Sequence, residues 1–399
     1  MTKAPDVIVV GAGPSGLLAA EAASSKGARV LVLEEHEEIG KPIKCSGVIS
    51  SSGLKQLDIH PKSSFILNKV KGARFHSPGG EYFSIEGKLA YVIDREQFDK
   101  YLAEVAIRSG TTIRTSCKVE SLMLKGQKII GVKTSKGEQI KSKVVIDGEG
   151  ISSKLLQNID LTTPNKTGIL PAIQFEIADI NRDLNFVDLY ISNKLAPGFF
   201  AWIIPISKNL SRIGLASKKG DLFEKINVFL RSVSKTYSII RVNYGSVYTS
   251  LPSSNTSYKG LLVVGDAAGQ VKATTGGGVI IGGICAKIAG NVAAEISKVN
   301  NPSLEKFQIY DTLWKSKLSR ELWTMAMARK VANLTEDKTI DKLFQIVIEN
   351  DLIKEIERVG DIDYQSHVLT MLIMKPDMYK ILLLVASDIV LEILSRKHT

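Results

Sequence analysis

Apolar residues along this chain follow two different periods, and the first forty residues show both. Apolar, mostly β-branched runs at 6–10 and 29–33 have the length and composition of buried strands. The segment between them is rich in Ala and Leu from 17 to 26 and predicts a helix that Gly27 ends. The N-terminus is therefore predicted to form a strand–loop–helix–strand unit with a glycine-rich loop.

The same patterns divide the rest of the chain into strand-rich and helical segments. Buried strands are predicted at 144–146 and 260–264, an Ala-rich helix follows the second of these, and everything after Pro302 is predicted to be helical. Between these elements we predict a loop at 39–53, a β-hairpin at 70–93, a helix at 95–109, a strand meander at 119–145 and a strand-rich region at 165–257.

These segments imply an α/β protein. A Rossmann-like nucleotide-binding domain carries an inserted antiparallel-sheet substrate domain, and a helical region follows at the C-terminus. Two interleaved domains with an extension suit a chain of 399 residues. The predicted boundaries are 1–68, 94–160 and 258–300 for the nucleotide-binding domain, 69–93 and 161–257 for the substrate domain, and 301–399 for the helical region.

Composition and charge narrow the class of protein. The net charge is +11, but no run of five basic residues occurs. The charge indicates either a diffusely basic, solvated surface or one that attracts phosphorylated ligands and anionic lipid. We expect no nucleic-acid partner. Three cysteines are too few for a disulfide framework, and their spacing suits no zinc site, so no metal is expected.

Membrane and targeting signals are weak. The N-terminus lacks the basic region and long apolar stretch of a signal sequence. The most apolar late segment, 378–394, contains Lys380, Asp388 and Glu392, which are costly at a bilayer centre. We predict a buried or surface-docking helix there, and a membrane-facing amphipathic helix is the alternative.

The loop after the first predicted strand has the sequence Gly11-Ala12-Gly13-Pro14-Ser15-Gly16. Side chains at Gly11 and Gly13 would keep a pyrophosphate away from the free N–H groups of the following helix, and Gly16 lets that helix pack on the strand. Glu34 stands at the end of the second strand, where a carboxylate can accept ribose hydroxyls. Dinucleotide binding follows; for the loop alone, a tight turn without a ligand is the alternative.

Two later strand ends favour FAD over NAD. Asp147-Gly148 and Gly265-Asp266 each follow an apolar strand directly. An aspartate at a strand end beside a helix N-terminus can bind a ribityl hydroxyl, and the amides after it can face a flavin or a phosphate. Each pair taken singly is explained equally well as a turn. A plain NAD domain needs neither pair, so the three signals together indicate FAD.

These features resemble the p-hydroxybenzoate hydroxylase-like flavoprotein superfamily, whose three FAD fingerprints match the segments above over roughly residues 5–295. Arg95 matches the arginine that the superfamily places beside the flavin. Within the superfamily the chain is most similar to geranylgeranyl reductases. Three segments carry this resemblance: the cysteine-containing loop 40–47, the aromatic stretch 197–205 and the glycine loop 274–279. The chain departs from the family pattern in a shorter cysteine loop and at Phe200, Ile204 and Ala273.

The resemblance implies an FAD-dependent reductase that saturates the geranylgeranyl chains of a membrane-lipid precursor. It implies cofactor contacts at Gly11, Gly13, Pro14, Ser15, Gly16, Glu34, Cys45, Ser46, Gly47, Arg95, Val119, Asp147, Gly148, Asp266, Gly278 and Val279. A long apolar chain needs an apolar tunnel, and the expected substrate-binding residues are Phe199, Phe200, Trp202 and Pro205. A packed strand in a sheet core suits the same residue types.

Cys45 is the expected catalytic residue, as the source of the proton that accompanies the hydride; bound water is the alternative. A redox-sensitive disulfide between Cys45 and Cys285 is a further hypothesis. We expect an isoprenoid lipid as substrate, an external electron donor (NAD(P)H, ferredoxin or another reductant), and a cytoplasmic protein with peripheral contact to the membrane surface.

Three other functions stay open at this stage. The Trp202-Ile203-Ile204-Pro205 stretch is similar to the Trp-x-Ile-Pro of flavin halogenases, so a halogenase or monooxygenase of the same fold is one alternative. A polyprenyl-quinone side-chain reductase is the second. A flavin or lipid carrier without enzymatic activity is the third, and the intact flavin motifs argue against it.

Overall fold

The structure is a computed structural model that describes residues 4–159, 161, 164–376, 378–379 and 383–388. The apolar segment predicted at 378–394 lies mostly outside the described residues, so its docking role stays a prediction.

Nineteen strands occur in the described part of the chain. They are β1 (Val7–Val10), β2 (Val30–Leu33), β3 (Val48–Ser50), β4 (Ile66–Val70), β5 (Gly72–His76), β6 (Tyr82–Ile85), β7 (Ala90–Ile93), β8 (Thr112–Arg114), β9 (Val119–Lys125), β10 (Lys128–Thr134), β11 (Gln139–Lys141), β12 (Val144–Asp147), β13 (Ile169–Ala178), β14 (Phe186–Tyr190), β15 (Ala201–Ser207), β16 (Leu210–Ala216), β17 (Ser238–Tyr248), β18 (Ser257–Tyr258) and β19 (Leu261–Val263).

Nine α-helices accompany them among the same residues. They are α1 (Pro14–Ser25), α2 (Ser51–Gln56), α3 (Arg95–Arg108), α4 (Leu222–Val233), α5 (Val279–Ser297), α6 (Leu304–Leu334), α7 (Asp337–Glu349), α8 (Leu352–Val359) and α9 (Ser366–Ile373).

The six-stranded sheet has the order β18-β19-β12-β1-β2-β8, and every neighbouring pair except β18–β19 is parallel. Its central strand β1 is buried on all four residues, as its continuous apolar run predicts. Loops that follow parallel strands meet at the carboxyl edge of the sheet, so the loops after β1, β2, β12 and β19 come together there. The predicted α/β fold with a Rossmann-like sheet is confirmed.

The seven-stranded sheet has the order β17-β13-β16-β15-β14-β5-β6 and is antiparallel except between β14 and β5. Helix α4 covers one of its faces, where Phe229 and Leu230 pack against Ile203 of β15. The other face carries Trp202 and Ile204 and turns toward the remaining molecule. Two three-stranded antiparallel sheets, β11-β10-β9 and β3-β7-β4, complete the strands.

Three local predictions differ from the structure. Strand β3 lies inside the predicted loop at 39–53, and helix α2 begins inside that loop and continues beyond it. The helix forms there because the Ser50 hydroxyl caps α2 by accepting a hydrogen bond from the Gly53 N–H. The predicted hairpin at 70–93 is β5–β6, whereas β7 pairs with β3 and β4 in another sheet. Helix α4 lies inside the segment predicted to be strand-rich.

Helices α1 and α5 pack closely beside the six-stranded sheet. A Cβ on Gly290 would come 2.2 Å from the carbonyl oxygen of Ala19, so glycine permits the contact between the two helices. Helix α5 has the length and hydropathy of a membrane span, but 72% of it is buried inside the protein. Its apolar composition is explained by this burial.

Candidate functional site

Three glycines shape the loop between β1 and α1. A Cβ on Gly11, which has φ +91°, would come 2.6 Å from the carbonyl oxygen of Gly148. A Cβ on Gly16 would come 2.0 Å from the carbonyl oxygen of Gly11, so the helix starts in direct contact with the loop. A Cβ on Gly13 would meet nothing within 4 Å. The space beside Gly13 is open at the N-terminus of α1, where Pro14 is the first residue and no side chain caps the helix.

Glu34 follows β2 and is held against this loop. Its Oε2 accepts a hydrogen bond from the Ala12 N–H at 2.7 Å, and its Oε1 accepts one from the His36 N–H at 2.9 Å. The His36 Nδ1 lies 2.6 Å from the same Oε1. Sequence reasoning gave His36 no role; its position two residues after a strand-end acid is the signal that could have indicated this contact. The carboxylate stands where the sequence predicted a ribose contact.

Asp147 ends β12 and is fully buried. Its Oδ1 accepts a hydrogen bond from the Glu149 N–H at 3.0 Å, but its Oδ2 has no partner among the described residues. Burial, and after it the neighbouring Glu149 carboxylate, raises the pKa of Asp147 well above 3.8. A buried oxygen without a partner costs free energy unless a ligand or a water donates to it. This oxygen therefore suits a ligand that brings a hydroxyl group.

Asp266 lies in a short 3-10 turn, Gly265–Ala268, directly after β19. A Cβ on Gly278 would come 2.6 Å from the Asp266 Oδ1, so the carboxylate lies beside the residue that precedes α5. Burial raises the pKa of Asp266, and the positive charge of Arg95 partly opposes that effect. The predicted pair Gly265-Asp266 and the predicted residue Gly278 thus come together in space.

The N-termini of α1 and α5 lie next to each other. Helix α5 begins at Val279 and has no side-chain cap. Ser15, in the first turn of α1, contacts the first turn of α5, because a Cβ on Gly282 would come 2.8 Å from the Ser15 Oγ. Free N–H groups and the positive ends of two helix dipoles therefore lie side by side. Such a pair can hold an anionic group.

Arg95 is the first residue of α3 and is nearly buried. Its Nε and Nη2 donate to the two carboxylate oxygens of Asp99 at 3.1 and 3.0 Å. Burial lowers the pKa of Arg95, but the neighbouring Asp99 and Cys45 raise it more, so the net pKa lies above its ordinary value. The charge of Arg95 acts on both Cys45 and Asp266, two residues that the sequence predicted to lie near the flavin.

A buried arginine from the seven-stranded sheet fixes the Cys45 loop. The Gly47 N–H donates to the Cys45 Sγ at 3.4 Å. The Arg212 Nη1 donates to the carbonyl oxygens of Ser46 and Ile93 at 2.9 and 3.0 Å, and its Nε donates to Glu176. A Cβ on Gly47 would come 2.5 Å from that Nη1, so only glycine lets the guanidinium approach. Sequence reasoning missed Arg212; a lone arginine in the apolar run of β16 was the available signal.

Phe199, Phe200 and Trp202 form an aromatic cluster. The two phenylalanine rings stack with centroids 4.1 Å apart, and both meet the Trp202 ring edge-on. The Trp202 Nε1 donates to the Gln174 Oε1 at 3.0 Å. The Phe199 ring comes 3.4 Å from the Cβ position of Gly276. The cluster therefore lies directly against the glycine loop that precedes α5.

Pro205 does not share this face. Side chains alternate between the two faces of a strand, so Pro205 has the orientation of Ile203 rather than that of Trp202. Ile203 is fully buried against α4, on the opposite side of the sheet. The sequence left two explanations for this apolar stretch, a tunnel lining and a packed strand in a sheet core. Ile203 fits the packed strand.

Arg329 of α6 covers the aromatic cluster. Its guanidinium lies 4.8 Å from the Phe199 ring centroid and 5.8 Å from that of Phe200. It donates to the carbonyl oxygens of Ala273 and Thr274 in the glycine loop. Burial lowers the pKa of Arg329 to about 10, and no described carboxylate pairs with it. The C-terminal helical region thus reaches the site through a side chain that the sequence did not single out.

A buried ion pair holds the same loop from another side. The Lys272 Nζ donates to the Asp363 Oδ1 at 2.6 Å, and both side chains are nearly inaccessible, at 8% and 1% exposed. Asp363 also accepts a hydrogen bond from the Ser50 hydroxyl. Thr274 donates to the Gln365 side chain at 2.6 Å. We call Lys272, Asp363, Thr274 and Gln365 the loop clamp.

The structure also shows where Val119 lies and whether Cys45 and Cys285 are bonded, two further points raised by the sequence. Val119 begins β9 and is half-buried against the core that contains Leu33. Two residues before it, the Cys117 N–H donates to the Glu34 carbonyl oxygen at 2.8 Å. The hypothesised redox-sensitive disulfide between Cys45 and Cys285 is not formed in this structure, where both thiols are free. Cys285 is fully buried in the core, which raises its pKa, whereas Cys45 is half-buried beside Arg95.

The residues at the carboxyl edge of the six-stranded sheet fit FAD. The open space at Gly13 and the paired helix N-termini suit its pyrophosphate. The unpartnered Oδ2 of Asp147 and the buried Asp266 carboxylate suit hydroxyl groups, and Glu34 suits a ribose.

Comparison with known proteins gives two sequence findings. Residues 6–152 match the family model described as FAD dependent oxidoreductase. The chain is 32% identical over 370 residues to the digeranylgeranylglycerophospholipid reductase of Methanocaldococcus jannaschii, covering 89% of this chain and 94% of that protein. It is 32% identical over 331 residues to digeranylgeranylglycerophospholipid reductase 2 of Methanococcoides burtonii, covering 79% and 81%.

Solved structures give the same fold. A geranylgeranyl bacteriochlorophyll reductase-like protein from Thermoplasma acidophilum superposes with a TM-score of 0.86 at 25% identity, covering 95% of this chain and 99% of that one. A flavin-dependent brominase superposes with a TM-score of 0.71 at 16% identity, covering 92% and 98%. The second likeness shows the fold alone.

Proposed function

This chain belongs to the family of digeranylgeranylglycerophospholipid reductases, and from that membership we propose that it saturates C=C bonds in the geranylgeranyl chains of a membrane-lipid precursor. It is an FAD-dependent oxidoreductase. The cofactor supplies the hydride chemistry, which amino-acid side chains lack. The observation that carries the proposal is the contact between the aromatic cluster and the glycine loop before α5, because it joins an apolar surface to the flavin side of the site.

We propose that Phe199, Phe200 and Trp202 bind the isoprenoid chain. Stacked rings offer a broad apolar surface, and the Trp202–Gln174 hydrogen bond fixes the orientation of the indole. The guanidinium of Arg329 lies on the side of the two phenylalanine rings and closes the cluster from the C-terminal region. The arrangement favours an extended apolar substrate over a small polar one.

Saturating one double bond adds a hydride to one carbon and a proton to the other. We propose the Cys45 thiol as the proton source. It is half-buried, it accepts a hydrogen bond from the Gly47 N–H at 3.4 Å, and the loop that carries it is anchored to the sheet by Arg212. An anchored thiol can be held at a fixed position beside the alkene.

FAD is held, in this proposal, by four groups of residues. Gly11, Gly13, Pro14, Ser15 and Gly16 receive the pyrophosphate, and Glu34 with Val119 borders the adenosine. Asp147, Gly148 and Asp266 meet the ribityl chain and phosphates. The isoalloxazine ring lies near Cys45, Ser46, Gly47, Arg95, Gly278 and Val279. Gly11, Glu34, Gly148 and the Gly265-Asp266 pair follow the parallel strands β1, β2, β12 and β19, whose carboxyl ends meet at one edge of the six-stranded sheet.

The isoprenoid lipid is the substrate that family membership implies. We propose in addition that an external donor, whether NAD(P)H, ferredoxin or another reductant, reduces the flavin. We also propose that the protein works in the cytoplasm in peripheral contact with the membrane that contains its substrate. The net charge of +11 supports contact with an anionic surface.

The proposal is tested by reoxidation of the flavin without oxygen. The purified protein is reduced with dithionite in an anaerobic cuvette, and a digeranylgeranylglycerophospholipid dispersed in detergent is added. We expect the oxidised flavin spectrum to return only with the unsaturated lipid, and a fully saturated lipid of the same head group is the control. A flavin that stays reduced until oxygen enters, followed by hydroxylated or halogenated product, would support the oxygenase alternative instead.

A further inference from the structure

Helix α6 has an exposed face that the core does not use. Ile309, Leu313, Arg320, Trp323 and Val331 are all exposed, and Trp323 is 56% accessible. Their spacings of four, seven, three and eight positions place them on one side of a helix. At 1.5 Å per residue this stripe is about 33 Å long. We call it the outer face of α6.

The opposite side of α6 accounts for the packing of the helix. Tyr310, Trp314, Leu318, Leu322 and Met325 are at most 1% exposed and are buried against the rest of the protein. The outer face is therefore not required to fold the helix onto the domain. Large exposed apolar side chains that recur along one side of a helix mark an interaction surface.

The charges on α6 are distributed unequally between its two sides. Its exposed basic residues include Lys306, Lys317, Arg320 and Lys330, and none of these four forms an ion pair with another described residue. The only exposed acidic residue of the helix is Glu305, because Asp311 and Glu321 are both buried. The outer face, together with the exposed basic residues that flank it, is thus apolar and basic at the same time.

We propose that the outer face of α6 docks the enzyme on an anionic lipid bilayer. A stripe of Ile, Leu and Val with one exposed Trp and several basic residues has the composition of a helix at a membrane surface. A second copy of the chain would bring two basic faces together, and like charges oppose such a dimer. Anionic head groups complement the same charges.

The docking face lies on the helix that also reaches the proposed substrate site. Arg329, on the buried side of α6, contacts the glycine loop and the aromatic cluster. A bilayer held against the outer face therefore comes within one helix diameter of that site. The inference rests on the proposed function, since an enzyme whose substrate is a membrane lipid gains from this arrangement.

Trp323 makes the docking directly measurable. The other two tryptophans, Trp202 and Trp314, are 7% and 1% exposed, so a change in environment at a surface reports on Trp323. The FAD-loaded protein is mixed with vesicles of phosphatidylcholine containing phosphatidylglycerol, without any geranylgeranyl lipid. We expect a blue shift of tryptophan emission with these vesicles, no shift with pure phosphatidylcholine, and no shift in the Trp323→Phe variant.

Two triple variants separate docking from net charge. In K317E/R320E/K330E the charges of three basic residues on or beside the outer face are reversed. In K125E/K133E/K141E the charges of three exposed lysines on the β9–β11 sheet are reversed instead. Both variants change the net charge equally. In vesicle co-sedimentation we expect the α6 variant to bind at least about tenfold more weakly, and the β-sheet variant to bind nearly as well as wild type. FAD content and thermal unfolding control for the fold of both.

Equal loss of binding in the two triple variants would overturn the proposal, because it would show only a response to net charge. A dimer seen by light scattering that the α6 variant dissociates would also overturn it, in favour of a second copy. Vesicle binding is measured without substrate, so it is independent of catalysis. Wild-type protein that fails to reduce detergent-dispersed lipid counts against the proposed function and leaves the docking result intact.

Discussion

The edge of the six-stranded sheet and the aromatic cluster on the seven-stranded sheet are built in opposite ways. At the sheet edge, backbone groups dominate: the glycines of the first loop, two uncapped helix N-termini and carboxylates at strand ends. At the cluster, side chains dominate, and they come from distant parts of the chain: Trp202 from β15, Gln174 from β13 and Arg329 from α6.

This difference has a chemical reason. A dinucleotide presents phosphates and hydroxyl groups at fixed positions, so backbone N–H groups and a few carboxylates can meet it in a single geometry. A prenyl chain offers almost no polar atoms, so only shape and apolar area can bind it. We therefore expect changes at the sheet edge to affect cofactor binding, and changes at the cluster to affect the substrate while FAD stays bound.

The largest effect is expected at the loop clamp, which lies between the two regions. Lys272→Met leaves the Asp363 carboxylate buried without its cation, and breaking a buried pair from one side costs about 3–5 kcal/mol of folding free energy. The free energy of unfolding by urea is the measurement. Lys287→Met, which removes an ion pair with the mostly exposed Asp58, is the control and should cost under about 1 kcal/mol.

The double variant Lys272→Met/Asp363→Leu removes both charges of the clamp. We expect it to recover most of the stability that the single variant loses, because two apolar groups can replace a buried ion pair. A double variant as unstable as the single one would contradict the view that the unpaired charge, rather than the lost bond, causes the damage.

A substitution at Gly13 tests the sheet edge alone. A Cβ at this position meets no protein atom within 4 Å, so the Gly13→Ala apoprotein should unfold at the wild-type temperature. The side chain fills the space beside the N-terminus of α1, and we expect FAD affinity to fall by about a hundredfold or more, roughly 3 kcal/mol. Fluorescence titration of the apoprotein with FAD measures this loss. Unchanged affinity would place the pyrophosphate elsewhere.

Asp147 gives the sheet edge a dependence on pH. Burial raises its folded-state pKa above the unfolded value of 3.8, so its carboxyl group favours the folded apoprotein at low pH. That contribution is complete below 3.8 and is lost as the pH rises through the folded pKa, with a slope of at most about 1.4 kcal/mol per pH unit.

Asp147→Asn removes this titration, so the free energy of unfolding of the variant should fall less steeply with pH above 3.8. Asp99 and Asp266, whose pKa values are also raised by burial, titrate in both proteins and cancel in the difference. Urea unfolding of wild type and variant across the acidic range is the measurement. Parallel profiles would mean that Asp147 does not titrate in this window.

The smallest effect is expected at Trp202. Trp202→Phe keeps an aromatic ring in the cluster but loses the hydrogen bond to Gln174, which is worth about 1 kcal/mol. We expect KM for the geranylgeranyl lipid to rise by a factor of about five, with FAD affinity unchanged. Steady-state kinetics and FAD titration on the same sample separate the two regions. A loss of FAD with unchanged KM would reverse the assignment.

The same contrast explains how much the sequence could predict. The sheet edge follows from short motifs, because each phosphate or hydroxyl contact needs residues that are adjacent along the chain, such as Gly11 to Gly16 or Gly265 with Asp266. The Asp363–Lys272 pair and the Arg329 contact join residues far apart in sequence, and no local pattern marks them. A single sequence carries no information on which distant side chains meet.

Helix α4, inside the segment predicted to be strand-rich, had a local signal in the sequence. Helix α4 begins after Asp221, whose side chain accepts a hydrogen bond from the Glu224 N–H, and its apolar residues recur at helical spacing. Strand alternation is a second local signal, because it places Pro205 on the opposite face of β15 from Trp202. The residue types of this stretch suit an apolar site, but strand geometry decides which of them share one face.

The mass of the lipid recovered after anaerobic turnover tests the central claim most directly. The FAD-loaded protein is supplied with dithionite and a digeranylgeranylglycerophospholipid in the strict absence of oxygen, and the product is analysed by mass spectrometry. We expect the mass to rise by two hydrogen atoms for each double bond, with no oxygen or halogen incorporated. A lipid of unchanged mass, or one that changes only when oxygen is admitted, would contradict the assignment as a geranylgeranyl reductase.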